Sequence, residues 1–128
     1  LLKSRGIKTA VSSGSEEYFI RDILDYLKIS EYFDCVITGN DIVRLKPDPD
    51  IYLAALRLSG TAAENAIAVE DSAAGCQAAK SAGLICVGYT NNGKNPQNLE
   101  KADFRIDRLL QLEGIIFGEL GKQLEAKL

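Results

Sequence analysis

The 128-residue sequence contains no histidine and no methionine, and it contains only three cysteines. Without histidine, neither an imidazole general base nor a histidine-ligated metal site can come from this chain. Cys35, Cys76 and Cys86 are odd in number and lack CxxC spacing, which argues against a disulfide framework or a zinc site. Because they fall in two predicted strands and a predicted helix, we expect reduced, packed thiols in a cytoplasmic protein.

Basic residues and long apolar runs are also scarce. Fifteen Lys and Arg against 18 Asp and Glu give a net charge of −3, so we expect no surface for nucleic acid. No apolar run approaches the ~20 residues that a membrane helix needs, so we expect no membrane partner either. With 46% hydrophobic residues the chain can build a core, and residues 1–128 are predicted to form a single domain.

Apolar runs alternate with amphipathic segments along the chain. Runs rich in branched residues indicate strands, and apolar residues at helical spacing indicate the helices between them. Strands that alternate with helices are typical of a parallel sheet with helices on both faces, so the predicted fold class is a Rossmann-like α/β fold. The strands are predicted at residues 7–12, 34–38, 66–69, 84–89 and 104–106. The helices are predicted at residues 16–28, 50–58, 109–128 and, rich in small residues, between Ser72 and Gly83.

Two adjacent carboxylates, Glu70 and Asp71, follow the strand at residues 66–69. At an effective dielectric of 20, two such charges about 4 Å apart repel by ~4 kcal/mol. The pair therefore favours a bound cation, and Mg²⁺ takes oxygen ligands of this kind. The alternative is that the two carboxylates only solvate a loop.

Two further polar sets fall at the carboxyl edge of the predicted sheet, where ligands bind in such folds. Ser13 and the backbone N–H groups of Gly14 and Ser15 follow the first strand and can donate to phosphoryl oxygens. Lys46 lies in the loop after the second strand and can neutralise charge. Alternatives stay open for both, since Ser13 also fits a capping box with Glu16 and Lys46 can be an ordinary loop lysine.

Three strings in this order resemble motifs two, three and four of the haloacid dehalogenase superfamily. They are TAVSSGS around Ser13, LKPDPDIY around Lys46 and VEDSAAGCQAAKSAG around the acidic pair. The resemblance covers roughly residues 5–112 and is strongest to the branch that contains β-phosphoglucomutase and small-metabolite phosphatases. One departure is Leu45, where the family usually has Gly.

The resemblance implies Mg²⁺-dependent phosphoryl transfer through an aspartyl-phosphate, with a small phosphorylated metabolite as the substrate. A phosphatase is expected, and a phosphomutase of the β-phosphoglucomutase type is the alternative. Neither the identity of the substrate nor the oligomeric state can be inferred from the sequence. By position in the motifs, the candidate catalytic residues are Lys46 and Ser13, the phosphate-binding residues are Ser13, Gly14, Ser15 and Lys46, and the metal-site residues are Glu70 and Asp71.

The family's first motif, DxDGT or similar, carries the Asp nucleophile, and residues 1–128 contain neither this motif nor the family's cap domain. In the family, the strand of that motif lies between the strands that end at Ser13 and Glu70. Without it, those two strands would lie ~9.6 Å apart with exposed edges. Residues 1–6 also read as the end of a helix. We therefore expect the intact protein to have a further N-terminal part, and residues 1–128 alone to be inactive and prone to aggregate or to pair with another chain.

Two other function classes fit the same pattern less well. A receiver domain also uses carboxylates, a hydroxyl and a lysine around Mg²⁺, but there the acidic pair comes first and the lysine last. Here Ser13 and Lys46 precede the acidic pair, which argues against a receiver. A non-catalytic binding or regulatory module that keeps the fold remains open.

Overall fold

The computed structural model describes residues 1–118, in which strands and helices alternate. Leu120 and Leu124, predicted to continue the last helix, lie outside these residues. Among the described helices, none is long and apolar enough to cross a membrane. The strands are β1 (Ala10–Ser12), β2 (Cys35–Ile37), β3 (Ile67–Glu70), β4 (Ile85–Tyr89) and β5 (Phe104–Ile106), and the helices are α1 (Glu17–Tyr26), α2 (Asp50–Ser59), α3 (Ala73–Ser81) and α4 (Leu112–Phe117).

The five described strands form two parallel sheets. β1 pairs with β2, and β3, β4 and β5 pair in that order. The predicted α/β class with parallel strands is therefore confirmed. The additional strand expected between β1 and β3 stays a prediction.

The core lies where α2 and α3 pack against the strands. α2 contacts β1 and β2, α3 contacts β3 and β4, and the two helices contact each other. Small residues on α3, such as Ala78 and Ala79, are fully buried and allow this close approach. The contiguous buried cluster consists of Ile37, Ile51, Tyr52, Ala68, Cys76, Ala78, Ala79, Ala82, Leu84, Cys86 and Leu99.

Helix α1 forms as its apolar spacing predicts, but most of its apolar face is not in the core. Leu24 is buried, whereas Phe19, Ile23 and Leu27 are exposed. The reason is that the main contacts of α1 are to the 3₁₀ turn Ser30–Tyr32. Helical periodicity therefore predicted the helix without predicting what covers it.

All three cysteines are free thiols, in the strands and helix where they were predicted. Cys76 and Cys86 are fully buried. Burial, together with the neighbouring Cys76, raises the pKa of Cys86 to about 12, so this thiol is protonated at neutral pH. Such a thiol is a packing residue, because the reactive form of cysteine is the thiolate.

Candidate functional site

Lys46 connects the carboxyl ends of the two sheets. Its ammonium forms an ion pair with Glu70, the last residue of β3, and donates to the carbonyl of Ser12, the last residue of β1, at 3.3 Å. The Lys46 side chain is 21% exposed and that of Glu70 is 5% exposed. The structure thus brings together the predicted lysine and one of the two predicted carboxylates, at the predicted edge.

Three donors surround the buried carboxylate of Glu70. The Lys46 ammonium and the Tyr52 hydroxyl both donate to Oε1, and the Ser72 hydroxyl donates to Oε2 at 3.3 Å. A buried carboxylate needs such partners, because its desolvation costs several kcal/mol. Ser72 also accepts from the N–H of Gly75 at 3.0 Å, which makes it the N-cap of α3.

Gly75 provides the space that this carboxylate occupies. A Cβ atom at Gly75 would lie 1.8 Å from Oε2 and 2.5 Å from Oε1 of Glu70. The first turn of α3 is therefore packed directly against the acid. Only a residue without a side chain leaves the carboxylate where Lys46 and Tyr52 reach it.

Asp71 differs from its neighbour Glu70 because it is exposed. Its backbone carbonyl accepts from Nδ2 of Asn95 at 2.6 Å, which fixes the chain at this position. Within residues 1–118 its carboxylate takes part in no ion pair. The acidic pair thus consists of one buried, hydrogen-bonded carboxylate and one that faces solvent.

The acidic pair fits Mg²⁺ better than a metal that needs a complete protein cage. Among the described residues, no three or more His, Cys, Asp or Glu side chains are arranged to hold an ion. Mg²⁺ commonly takes one or two carboxylates and completes its shell with water and phosphate oxygens. The exposed Asp71 can supply such a ligand, and Oε2 of Glu70, which accepts only from Ser72, has a second acceptor position.

The predicted capping box of Ser13 and Glu16 is wrong. Helix α1 begins at Glu17, and its N-cap residue Glu16 has no side-chain capping bond. The N–H of Glu17 is instead bound by Oδ1 of Asn40 at 3.0 Å. The helix starts too far along the chain for Ser13 to cap it. The Ser13 hydroxyl instead accepts from the N–H of Ser15 at 3.3 Å, so the capping alternative for Ser13 is wrong.

The loops after β1 and β2 touch through their backbones. The N–H of Gly39 donates to the carbonyl of Ser15 at 3.0 Å, and a Cβ atom at Gly39 would lie 2.5 Å from the carbonyl oxygen of Gly14. This contact holds the Ser13–Ser15 loop at the carboxyl edge. Gly14 and Ser15 are exposed there, so a ligand can reach them.

Arg44 closes the loop that carries Lys46. Its guanidinium contacts Asp50 at 2.9 Å and Asp48 at 3.2 Å, and its backbone N–H donates to Asp50 at 3.2 Å. The Lys46–Pro47 peptide bond inside this loop is cis. The hydrogen bond from the Arg44 side chain holds the pKa of Asp50 below its ordinary value of 3.8. Asp48 and Asp50 thus serve the loop as turn and clamp residues.

Because the pKa of Asp50 is lower in the folded state, this carboxylate stabilises the fold when it is ionised. Replacing Asp50 with Asn is expected to lower the free energy of unfolding at pH 5–7. The difference in the free energy of unfolding between wild type and Asp50→Asn should disappear as the pH falls below 3.8 and then through the lowered pKa of Asp50. Urea unfolding at a series of pH values measures it. In an Arg44→Gln background the same substitution should show little pH dependence, and an unchanged dependence there would contradict the clamp.

The sequence did not identify three residues that shape this site. Tyr52 and Gly75 lie in the motif strings without a predicted role, and Asn40 lies in the loop before Lys46, also without one. A signal did exist for Tyr52, because it lies on the buried face of α2 and a buried tyrosine hydroxyl needs a partner. Gly75 also lies in the motif string that contains Glu70, but the string does not show that the glycine makes room for the acid. No local signal marks Asn40, whose role depends on a contact with another segment.

A cavity of about 530 Å³ lies away from these residues, beside β2. Its charged side chains have partners within the chain. Lys8 donates to the Ser59 carbonyl, Arg21 to Glu17, and Asp34 accepts from the N–H of Thr9. The cavity therefore shows no polar group that awaits a ligand.

Comparison with known proteins places the chain among hydrolases. A family model described as haloacid dehalogenase-like hydrolase matches residues 1–83. A phosphoglycolate phosphatase of Pseudomonas putida is 34% identical over 114 residues, which is 87% of this chain and 42% of that protein. The chain thus spans less than half the length of this relative.

Solved structures of a phosphatase and a phosphomutase also match this chain. A haloacid dehalogenase (HAD) phosphatase of Thermococcus onnurineus matches with a TM-score of 0.82 and 32% identity, over 92% of this chain and 54% of that one. A β-phosphoglucomutase of Clostridium difficile matches with a TM-score of 0.79 and 30% identity, over 98% of this chain and 52% of that one. The α/β architecture is therefore shared with both proteins.

Proposed function

The chain belongs to the haloacid dehalogenase-like hydrolase family, and on this premise we propose that it is part of the catalytic core of a Mg²⁺-dependent phosphatase for small phosphorylated metabolites. The observation that carries the proposal is the Lys46 ammonium, bound to Glu70 and to the Ser12 carbonyl at the edge where the two sheets end. This arrangement gathers a fixed positive charge and an acidic pair at one place. Such preorganised charge is what phosphoryl transfer requires.

Lys46 is the group that balances the negative charge of the ligand. An ammonium has three N–H donors. Two of them are directed at Ser12 and Glu70, so a third can reach a phosphoryl oxygen. Its charge is held in place before the ligand arrives, so ligand binding requires no reorganisation of the site.

The Ser13–Ser15 loop is the second phosphate contact that we propose. Ser13 and Ser15 carry hydroxyl groups, and Gly14 presents backbone without a side chain. The loop is anchored by the backbone contact between Ser15 and Gly39. Donors of this kind bind phosphoryl oxygens.

The proposed reaction has two covalent steps. An Asp carboxylate oxygen, expected from the family's first motif, attacks phosphorus while the ester P–O bond breaks and the leaving alcohol takes a proton from the second Asp of that motif. Water then gives a proton back to that second Asp, attacks the aspartyl-phosphate, releases inorganic phosphate and restores the first carboxylate. Bound Mg²⁺ supplies charge neutralisation for these steps. Glu70 and Asp71 are the residues of this chain that would hold it.

The test is phosphate release by the intact protein, with Mg²⁺ and after removal of divalent ions by EDTA. The substrates include 2-phosphoglycolate, because a relative is a phosphoglycolate phosphatase, and a set of sugar phosphates. We expect Mg²⁺-dependent release from at least one of them, with Asp71→Asn lowering kcat by about 10²-fold. Equal release in EDTA, or no release from any small phosphate ester, would overturn the proposal.

The free thiols Cys35, Cys76 and Cys86 support a reducing, cytoplasmic compartment.

A phosphomutase is the second candidate, favoured by the match to a β-phosphoglucomutase over 98% of the chain. A mutase returns the phosphoryl group to the sugar, whereas a phosphatase gives it to water. Incubation with β-glucose 1-phosphate separates the two activities. Glucose 6-phosphate without free phosphate indicates the mutase, and free phosphate with glucose indicates the phosphatase.

A further inference from the structure

Tyr52 contacts both charged groups of the site from within the core. It lies in the first turn of α2 and is only 6% exposed. Its hydroxyl donates to Oε1 of Glu70, the same oxygen that takes the Lys46 ammonium. The Lys46 nitrogen also lies 5.3 Å from the centre of the tyrosine ring, within the range of a cation–π contact.

Core packing alone does not account for these contacts. A phenylalanine would fill the same volume between α2 and the strands, and it would bring no polar atom that needs a partner. Tyr52 instead directs its hydroxyl at the carboxylate that faces the ligand edge. The phenolic O–H is a hydrogen-bond donor, and here it donates to Glu70.

The position of Tyr52 is fixed by the chain itself. Its backbone N–H donates to the Pro49 carbonyl at 2.9 Å, and its neighbour Ile51 is 1% exposed in the core. Tyr52 itself is only 6% exposed in the core, so its ring has little freedom to follow Glu70 if that carboxylate rotates. A rigid donor of this kind constrains its acceptor, and not the reverse.

We propose that Tyr52 is a positioning residue of the candidate site. Its hydroxyl sets the orientation of the Glu70 carboxylate, and its ring face keeps the Lys46 ammonium beside that carboxylate. Both charges are then in place before a phosphorylated ligand arrives. The part of this proposal that concerns turnover rests on the proposed phosphatase function, whereas the part that concerns the two side chains does not.

The experiment compares Tyr52→Phe with Tyr26→Phe in the intact protein. Tyr26 is 87% exposed, so this control removes the same atom without touching the site. Loss of a residue that orients a ligand or metal group costs about 10-fold or more, so we expect Tyr52→Phe to lower kcat by about 10-fold. KM for the phosphorylated substrate should stay within about twofold, because Lys46 and the Ser13–Ser15 loop remain.

Two readouts do not depend on turnover. Mn²⁺ alone, titrated and followed by electron paramagnetic resonance, should bind about 10-fold more weakly to Tyr52→Phe. In protein labelled with ¹⁵N-lysine, the Lys46 ammonium signal should be visible in wild type and in Tyr26→Phe. It should shift or broaden in Tyr52→Phe, because the carboxylate that holds it has moved.

The outcomes separate the two proposals. If the Lys46 signal, Mn²⁺ binding and kcat all stay at wild-type values in Tyr52→Phe, Tyr52 only fills the core and the inference is wrong. If wild type neither binds Mn²⁺ nor releases phosphate, the proposed function fails, while the Lys46 signal still decides the role of Tyr52. Tyr52→Leu, which removes the ring as well, should change that signal further, and the melting temperature of each variant shows whether it has folded.

Discussion

Replacing Lys46 with Met in the intact protein is expected to lower kcat by about 10²–10³-fold. Met keeps most of the length of the side chain and removes its charge. The site then loses the ammonium that lies between Ser12 and Glu70, and with it the charge that balances a phosphoryl group. Steady-state kinetics of phosphate release measure the loss. A variant that keeps more than a tenth of the wild-type kcat would remove Lys46 from the reaction.

The same substitution is expected to lower the free energy of unfolding by about 3 kcal/mol. The Glu70 side chain is only 5% exposed, so the carboxylate is left buried without its ion pair. Tyr52 and Ser72 still donate to it, which keeps the loss at the low end of the range for a broken buried pair. Urea unfolding gives the value.

Two controls separate the catalytic loss from the loss of stability. Lys80→Met breaks the Lys80–Asp103 pair, whose side chains are each 36% exposed, and should cost about 1 kcal/mol or less without changing kcat. Lys46→Met combined with Glu70→Gln removes the unpaired charge as well. That double variant should regain much of the stability but none of the activity, because the ammonium is still absent.

Much of this site could be predicted from the sequence because its parts follow short-range rules. Ser72 precedes a helix and caps it, and Gly83 closes that helix with φ +85°. Glu70 ends a strand and Lys46 lies in the loop after another strand, and hydrophobic pattern alone predicts both strands. Parallel strands place such ends at one edge. The sequence therefore predicted which residues lie at that edge, and the structure shows two of them in contact.

The remaining features depend on contacts between distant segments, which no local pattern encodes. Asn40 caps α1 from another loop, whereas spacing along the chain predicts Ser13 as the capping residue. The apolar spacing of α1 predicts a helix, but it cannot tell that Phe19 and Leu27 are exposed. Tyr52 and Gly75 act through Glu70, whose position is set only when α2, α3 and β3 come together.

Replacing Gly75 with Ala should impair the protein almost as much as replacing Lys46, although glycine carries no functional group. The added Cβ would lie 1.8 Å from Oε2 of Glu70, so the carboxylate must move by roughly 1 Å or more. A displacement of about 1 Å at a reacting group costs about 10²-fold in rate, and we expect that loss in kcat. Overpacking should also cost about 1–3 kcal/mol of stability.

The carboxylate has to move because the helix cannot. The N–H of Gly75 is bound to Ser72, and the next residue, Cys76, is fully buried, so the first turn of α3 is held from both sides. The side chain of Glu70 is more flexible than the helix and therefore moves instead. This movement takes its oxygen away from Lys46 and Tyr52. Gly114→Ala is the matched control, since a Cβ there meets no atom of residues 1–118 within 4 Å. It should be neutral or stabilising by up to about 1 kcal/mol, with kcat unchanged.

A second substitution tests whether the Gly75 effect acts through Glu70. Glu70→Asp shortens the acid by one methylene and leaves room for the new Cβ atom. If the clash is the cause, Gly75→Ala should cost less stability in the Glu70→Asp background than in wild type, and unfolding free energies of the four proteins measure that coupling. Purely additive losses would mean that Gly75 acts on the helix and not on the carboxylate. The ion pair of Lys46 would then owe its geometry to Tyr52 and Ser72 alone.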